Sequence, residues 1–392
     1  MPLPLRYSIG NLWQRRTRTG FTVGVVAGVV LATSLFTGLV SSLRRTVTSS
    51  SSPDNLIVLR KGATNDGSSV VSLEAYQTIR HLPGIARDAS DRPLVSPELV
   101  VQPFFHTLAG GRENVLVRGV EPVALQVHDH VKIVAGRMFE PSQSEAIVGK
   151  NVAGRYAGAT LGSDLHFGRG IWKVVGLFES GGSSFESEVW VDVRELAADA
   201  RRTPPFSGLR VRSAPGADQE ALARRIGADP RYALEAQPES DYYAKQAKSA
   251  NTFYVIAVGL ALLAGIGASF GAANTMYASV QARIPEIGTL RALGFSRRAI
   301  LAAVLLESLA IGLIGFVLGG TLAVLAGRVI SAALGGIAFG ASTFSTNVIT
   351  LRVGTFDLGV GALLALAVGI GGGLFPAARA ARLRPVEALR RA

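Results

Sequence analysis

The chain has 392 residues, of which 48% are hydrophobic and only 17% are charged, whereas about 25% of the residues of an ordinary soluble protein are charged. This bias predicts membrane-spanning segments. The chain contains no cysteine, which excludes disulfides, thiolate metal sites and cysteine catalysis. The net charge of +12 would suit a nucleic-acid-binding protein, but its distribution along the chain, given below, argues against that function.

The first predicted element is an amphipathic helix within residues 1–18, whose apolar side chains recur at helical spacing beside arginines, as in helices that lie on a membrane surface. Residues 19–43 follow without a charge. A bilayer crossing takes about 20 apolar helical residues, so this stretch predicts the first transmembrane helix. A cleaved signal peptide is the alternative, although the apolar run is long for one and no A-x-A site follows.

Residues 44–248 have a soluble composition, and a segment of this length can bury a core. Strand-like runs alternate with helix-like runs without a strict βαβ rhythm, which predicts an α+β domain. The strand-like runs are residues 55–60, 99–105, 114–119, 131–135, 172–178, 188–191 and 209–211, and the helix-like runs are 72–82, 151–156, 193–199 and 219–226. From Tyr242 onward a helical pattern continues into the next apolar stretch, which predicts a helical stalk.

This domain offers few residues that point to chemistry. His128 and His130 form a His-x-His pair, a weak metal signal that no nearby ligand group completes, so a surface loop is the preferred interpretation. Gly149 and Lys150 resemble the end of a phosphate-binding loop whose first glycine is missing. No G-x-S-x-G nucleophile motif occurs. We therefore expect no catalytic residue, no metal site and no cofactor in this chain.

Two further apolar stretches, residues 249–282 and 299–327, predict the second and third transmembrane helices. The second stretch exceeds one crossing, so part of it should project from the bilayer. Glu307 is the one charge in the third, and a carboxylate at that depth usually faces protein or water. It could bond across a dimer, lie near the cytoplasmic interface or couple protons.

Both stretches contain G-x-x-x-G pairs, which allow close helix packing. The pairs are Gly267/Gly271 and Gly315/Gly319.

The segment between these two stretches, residues 283–298, is short and basic. Arg283 and Glu286 are three residues apart and can pair on a helix. Gly288 and Gly294 permit a tight approach or a helix end. A short segment of this kind is suited to bind a partner, although an ordinary basic loop at the lipid surface has the same composition.

The rest of the chain comprises a glycine-, serine- and threonine-rich outer loop at residues 328–357, a fourth apolar stretch at 358–378 and a basic tail at 379–392. The outer loop is expected to contain a short amphipathic helix at 329–334. The sequence thus predicts a helical membrane protein with four transmembrane helices and one large α+β domain between the first and second helices.

The orientation follows from the basic residues near the predicted spans. Residues 1–18, 283–298 and 379–392 together hold 13 basic residues against two acidic ones, and four spans place all three segments on one side. Basic segments face the cytoplasm, so both termini are predicted to be cytoplasmic and the 44–248 domain extracytoplasmic. The excess charge is then a topology signal and a contact with the lipid surface, and nucleic acid is not an expected partner.

Two segments carry a resemblance to a known family. ARIPEIGTLRALGFSRR at residues 282–298 and FPAARAARLRPVEALR at 375–390 resemble, in order and spacing, the FtsX-like permease domain of MacB-type ABC transporters. Looser resemblances occur in the predicted domain, at residues 136–150 and 189–192. Because the chain begins almost directly at its first span, it is most similar to the family's half-transporters, which lack a fused ATPase domain.

The resemblance implies a function and partners. It implies a permease dimer, of identical or paralogous chains, with separate ATPase subunits that bind ATP and Mg²⁺, in a bacterial inner membrane, and it leaves open a periplasmic adaptor. ATP-driven closure would move the stalk and the outer domains, a mechanism called mechanotransmission, to export or extract a substrate on the outer side. The positions that match the ATPase-coupling segment are Arg283, Glu286, Gly288, Arg291, Gly294 and Arg297.

Two other functions remain open at the level of sequence. One is an FtsX-like signalling protein whose outer domain activates a periplasmic partner such as a peptidoglycan hydrolase, although the large outer domain here favours the transporter. The other is a membrane-anchored extracytoplasmic enzyme, for which no catalytic constellation is visible. The sequence does not identify the transported substrate.

Overall fold

A computed structural model describes residues 16–334, 336–339 and 346–383. The chain divides into two compact units. One, the helical unit, takes in residues up to 42, 251–332 and 351 onward; the other, the sheet unit, takes in residues 43–250 and 333–350. Each unit is described by itself.

The described helices are, in chain order, α1 (Arg16–Thr48), α2 (Leu73–Ile79), α3 (Ala124–Val127), α4 (Val193–Asp199), α5 (Gln219–Gly227), α6 (Glu239–Gln281), α7 (Ile284–Ala292), α8 (Arg297–Leu334) and α9 (Thr355–Arg382). The described strands are β1 (Asn55–Arg60), β2 (Val95–Val101), β3 (Phe104–His106), β4 (Arg112–Asn114), β5 (Leu116–Val120), β6 (Lys132–Gly136), β7 (Glu145–Gly149), β8 (Asp164–Phe167), β9 (Gly170–Glu179), β10 (Glu188–Asp192), β11 (Gly208–Arg212), β12 (Leu234–Pro238), β13 (Ile337–Phe339) and β14 (Asn347–Ile349).

Within the part of the chain that the structure describes, four helices are long and apolar enough to cross a membrane: Thr19–Thr48 within α1, α6, Arg297–Ala333 within α8, and α9. The prediction of four transmembrane helices is therefore confirmed. The helices extend beyond the apolar stretches because helical hydrogen bonding continues into polar residues at their ends. Helix α6 begins at Glu239 and so includes the predicted stalk. The predicted amphipathic helix at residues 1–18 and the tail beyond residue 383 lie outside the described residues.

Small residues bring the four long helices of the helical unit together. One apolar cluster joins α1, α6 and α9 through Val26, Val30, Ala268, Ala272 and Ala365. Glycines allow the backbones to approach, since a Cβ atom at Gly372 of α9 would lie only 2.5 Å from the Ala272 side chain of α6. Packing of small residues is the usual basis of helix association within a membrane.

The sheet unit is built on a ten-stranded sheet in the order β12-β1-β11-β2-β5-β10-β7-β9-β6, with β8 also paired to β9. Most pairs are antiparallel, but β5 with β10 and β7 with β9 are parallel. Helices α2, α4 and α5 contribute buried residues to the apolar core on the sheet, and Trp190, Phe178 and Phe185 form a second cluster. This is the predicted α+β domain, although the helix expected at residues 151–156 is a series of turns.

The segment between the third and fourth long helices differs from its prediction. The amphipathic helix expected at 329–334 is the end of α8, which continues to Leu334. Beyond it β13 and β14 pair antiparallel, with Ile337 opposite Ile349. The amide of Val348 donates to the Ser187 hydroxyl (3.0 Å), and the Asn151 side chain donates to the Val348 carbonyl (3.4 Å). The predicted outer loop therefore supplies two strands that pack within the sheet unit.

Candidate functional site

Helix α7 occupies most of the predicted coupling segment. Arg283 precedes it, a proline lies in its first turn, and Leu293 follows its last residue. Gly294 then adopts a φ of +93°, the left-handed conformation that commonly ends a helix and that glycine adopts without strain. The Arg291 guanidinium donates to the Phe295 carbonyl at 2.9 Å, which closes the turn after the helix. Arg291 thus has a local structural contact in the described structure.

The two faces of α7 have opposite character. Ile284, Ile287 and Gly288 are buried, and Ile287 packs in a cluster with residues of α6, α8 and α9. On the other side Glu286 is exposed, and Leu293, which directly follows the helix, exposes 73% of its surface. The helix is therefore fixed to the helical unit by one side and presents the other. Of the remaining predicted coupling residues, Gly294 and Arg297 are exposed.

Arg283 forms an ion pair with Glu307 of α8. The Arg283 Nη2 atom lies 2.6 Å from the Glu307 Oε1 atom, and the same nitrogen donates to the Ser279 hydroxyl of α6. Glu307 is only 6% exposed. The sequence suggests a local pairing of Arg283 with Glu286, but the ion pair that the structure shows reaches a residue 24 positions away. The local spacing argument cannot foresee this partner because α8 folds back along α6.

The two predicted glycine pairs have different surroundings. A Cβ atom at Gly315 would lie 2.7 Å from the Val26 side chain of α1, and one at Gly319 would lie 2.4 Å from the Ala27 carbonyl oxygen. This pair therefore permits close contact between α8 and α1. At Gly267 and Gly271 of α6, no described residue lies within 4 Å of such an atom. That pair faces outward from the described protomer.

A group of buried charges in the sheet unit is not anticipated by the sequence analysis. Five neighbouring strands carry polar side chains toward one place, where they meet the Asp66 loop, the end of α3 and the start of α6. We name this group the ionic row. It consists of Asn55, Asp66, Glu98, Arg118, His128, Glu188, Arg210 and Glu239.

Two arginines organise the ionic row. Arg118 donates to both oxygens of Glu188 at 2.7 Å and to Glu98 at 2.7 Å. Arg210, with no exposed surface, binds Asp66 at 2.8 Å and Glu239 at 3.0 Å. Buried charges are costly unless they are paired and hydrogen-bonded, and these distances provide the pairing.

The electrostatics of the ionic row lower the pKa of two of its acids, Glu98 and Asp66. Burial alone would raise the pKa of Glu98, but Arg210, His128 and Arg118 together lower that pKa well below its ordinary value. The pKa of Asp66 is lowered in the same way, against the effect of burial, by Arg210 and Arg118. Glu98 and Asp66 are therefore held as carboxylates that pair with the two arginines.

The ionic row includes the first residue of α6. Besides Arg210, Glu239 accepts hydrogen bonds from the Ser52 amide at 3.0 Å and the Asn55 side chain at 3.1 Å. Tyr242, one turn later, donates its hydroxyl to Asp66. The beginning of the predicted stalk is thus bonded to the sheet rather than merely following it in sequence.

His128 belongs to this row, which corrects the interpretation of its sequence motif as a surface loop. Its ring is fully buried beside Phe185 and Trp190, and its Nε2 atom lies 2.7 Å from Glu98 Oε1. Among the described residues, no cluster of three or more His, Cys, Asp or Glu side chains is suited to a metal ion. The polar residues inside otherwise apolar strands, such as Glu98 and Arg118, are the signal of this row that the sequence carries.

Family models match two parts of the chain. The MacB-like periplasmic core domain matches residues 19–229, and the FtsX-like permease C-terminal domain matches residues 257–385. The first match alone covers more than half of the chain. The chain belongs to the family of MacB-like, FtsX-like ABC transporter permeases. As a member of this family it is a multi-pass membrane protein, and α7 lies inside the FtsX-like region.

Two curated sequence relatives agree with this assignment. The macrolide export ATP-binding/permease protein MacB of Bdellovibrio bacteriovorus is 26% identical over 95% of this chain and 58% of its own length. MacB of Bradyrhizobium diazoefficiens is 30% identical over 71% of this chain and 43% of its own length. The periplasmic region of MacB from Actinobacillus actinomycetemcomitans aligns at 11% identity with a TM-score of 0.38, over 50% of this chain and 92% of that structure. The permease thus spans about half the length of the curated relatives it matches.

Proposed function

We propose that this chain is the permease subunit of an ABC transporter whose ATPase subunits bind the exposed side of α7. The single observation that carries the proposal is the asymmetry of α7, which is buried through Ile284 and Ile287 and accessible at Glu286 and Leu293. A short helix held in this way can receive a push from a partner and pass it to the helices on which it is packed.

The chain would transmit a mechanical motion that its ATPase subunits drive. ATP and Mg²⁺ would bind in the partner subunits, with no cofactor in this chain, and closure of the ATPases would displace α7. The motion would be relayed outward by mechanotransmission to the sheet unit, on the outer side of a bacterial inner membrane, with both termini cytoplasmic. The basic segment at residues 283–298 supports that orientation. The task proposed is export or extraction of a substrate, in keeping with the macrolide export for which the MacB relatives are named.

The proposal includes a second permease, identical or paralogous. Its supporting observation is the outward face of α6 at Gly267 and Gly271, where small residues would allow another helix to approach closely. A periplasmic adaptor stays a prediction from the family resemblance.

The experiment is an affinity purification from membranes in mild detergent, with ATPase activity assayed on the eluate. Leu293→Asp places a charge on the exposed side of α7, and Leu108→Asp is the matched control, because Leu108 is 69% exposed and lies in the sheet unit. We expect an ATPase to co-purify with the unaltered chain and with Leu108→Asp, and at least a tenfold loss with Leu293→Asp. If the unaltered, folded protein brings down no ATPase in several detergents, the transporter proposal is wrong.

A further inference from the structure

Glu307 lies within an apolar helix, where a carboxylate is energetically unfavourable. It is the eleventh residue of α8, about 15 Å along the helix from Arg297, and the neighbouring sequence is apolar. Only 6% of its surface is exposed. An acid in such a segment is costly and usually has a specific partner, which here is Arg283 at 2.6 Å.

Arg283, which pairs with Glu307, lies at the junction of two helices. Helix α6 ends at Gln281 and α7 begins at Ile284, so Arg283 stands in the connection between them. Its Nη2 atom donates both to Glu307 of α8 and to Ser279 of α6. One guanidinium therefore ties together the end of the second span, the start of α7 and the third span.

Ser308, next to Glu307 in the sequence, connects the third span to the fourth. The Ser308 hydroxyl donates to the Gly369 carbonyl of α9 at 2.7 Å. A Cβ atom at Gly373 would lie 2.6 Å from the Ser308 side chain, so α8 and α9 are in close contact at this level. A displacement of Arg283 would consequently act on a tightly packed part of the helical unit rather than on an isolated side chain.

We propose that Glu307 is a positioning residue for α7. Its carboxylate fixes Arg283, and through Arg283 it sets the angle at which α7 leaves α6, so that a force on the exposed side of α7 reaches α8. This inference rests on the proposed function for its role in coupling, but the positioning itself is a property of this chain alone. It assigns Glu307 to a contact within one protomer, in place of a bond across a dimer or proton coupling.

The first experiment measures position without any ATPase. Because the chain contains no cysteine, spin labels can be attached through Leu293→Cys and Leu322→Cys, both at exposed positions. Leu293 directly follows α7, and Leu322 lies about 38 Å along α8 from its first residue, Arg297. Double electron–electron resonance on the full chain in lipid nanodiscs then gives the distribution of distances. We expect Glu307→Gln and Arg283→Gln each to broaden this distribution about twofold, and the exchange Arg283→Glu with Glu307→Arg to restore most of its width.

The control is Asp357→Asn. Asp357 is another buried carboxylate of the helical unit, bonded to the Ser41 hydroxyl at 2.7 Å and not to the α7 region. The Asp357→Asn variant should leave the distribution of distances between the labels at positions 293 and 322 unchanged. Distributions for Glu307→Gln and Arg283→Gln that match the unaltered protein would overturn the positioning role, as would equal broadening by Asp357→Asn.

A second measurement separates this inference from the proposed function. Where an ATPase co-purifies, Glu307→Gln should retain the bound ATPase but lower its ATP turnover at least fivefold, and the charge exchange should recover part of the turnover. Leu293→Asp should instead lose the ATPase itself. If Glu307 carries protons, the turnover of the unaltered protein will depend on pH in a way that Glu307→Gln abolishes and the exchange does not restore, which would contradict the positioning role.

Discussion

At the scale of single residues, the ionic row illustrates what a sequence can and cannot reveal. A glutamate and an arginine inside apolar strands, such as Glu98 and Arg118, are visible in the sequence as departures from the pattern of a buried strand. Their partners are not visible, because the row depends on the strand order β11-β2-β5-β10, and those strands are far apart in the chain. The same limit explains why the His-x-His motif by itself favours a surface loop for His128.

The ionic row predicts a pH-dependent stability. Removing one member of a buried ion pair typically costs about 3–5 kcal/mol, so Glu98→Gln should lower the free energy of unfolding clearly at pH 7. The pKa of Glu98 is lowered in the folded state, so its stabilising contribution is present above the unfolded value of about 4.3 and is lost as the pH falls toward the folded value. The difference in the free energy of unfolding between Glu98→Gln and the unaltered protein should therefore become smaller below about pH 4.3.

This prediction can be measured by thermal unfolding of the full chain in detergent, followed through the fluorescence of the buried Trp172 and Trp190. Glu220→Gln is the control, because Glu220 forms a surface pair with Arg224 and surface pairs contribute little. A constant difference between Glu98→Gln and the unaltered protein from neutral to strongly acidic pH would contradict the assignment of Glu98 as an ionised member of the row.

At the scale of secondary-structure elements, the transmembrane helices are the most predictable part of the molecule, because an uninterrupted apolar run long enough to cross a bilayer seldom occurs in any other element. Their ends are less predictable, since α8 continues to Leu334 and α9 to Arg382. The pairing of β13 with β14 is absent from the prediction because a short strand in a glycine- and serine-rich segment has almost no local signature. Its position depends on contacts such as that of Val348 with Ser187.

The contact between α1 and α8 yields a prediction at this scale. Gly319→Ala would bring a Cβ atom to 2.4 Å from the Ala27 carbonyl oxygen, and such overpacking typically costs about 1–3 kcal/mol. We expect a lower midpoint of thermal unfolding in detergent and a lower yield of folded protein. Gly24→Ala of α1 is the matched control, because Gly24 is exposed and a Cβ atom there would meet nothing within 4 Å among the described residues. Equal midpoints for the two variants would contradict the close contact of α1 with α8.

At the scale of the whole molecule, the sequence leads to the family because two short signatures flank the third and fourth spans at a fixed separation. It does not reveal which charged side chains pair with one another in the folded protein. The pairing of Arg283 with Glu307 competes with a local alternative, Glu286, and only the fold of α6 against α8 decides between them. Sequence motifs thus identify which segment carries the candidate function, while the tertiary structure indicates how that segment is held.

The outward face of α6 gives the last prediction, on assembly. Leu263 lies one turn before Gly267 on the same helical face and is 67% exposed, whereas Leu313 of α8 is 62% exposed and serves as the matched position. If a second permease packs on α6 through the Gly267/Gly271 pair, Leu263→Cys should form a disulfide-linked dimer in oxidised membranes and Leu313→Cys should not. Adding Gly267→Ile to Leu263→Cys should abolish the cross-link, because a bulky side chain prevents the close approach that small residues allow. Cross-linking of Leu313→Cys alone would instead place the second copy against α8, and cross-linking of neither would remove this face of α6 as the contact.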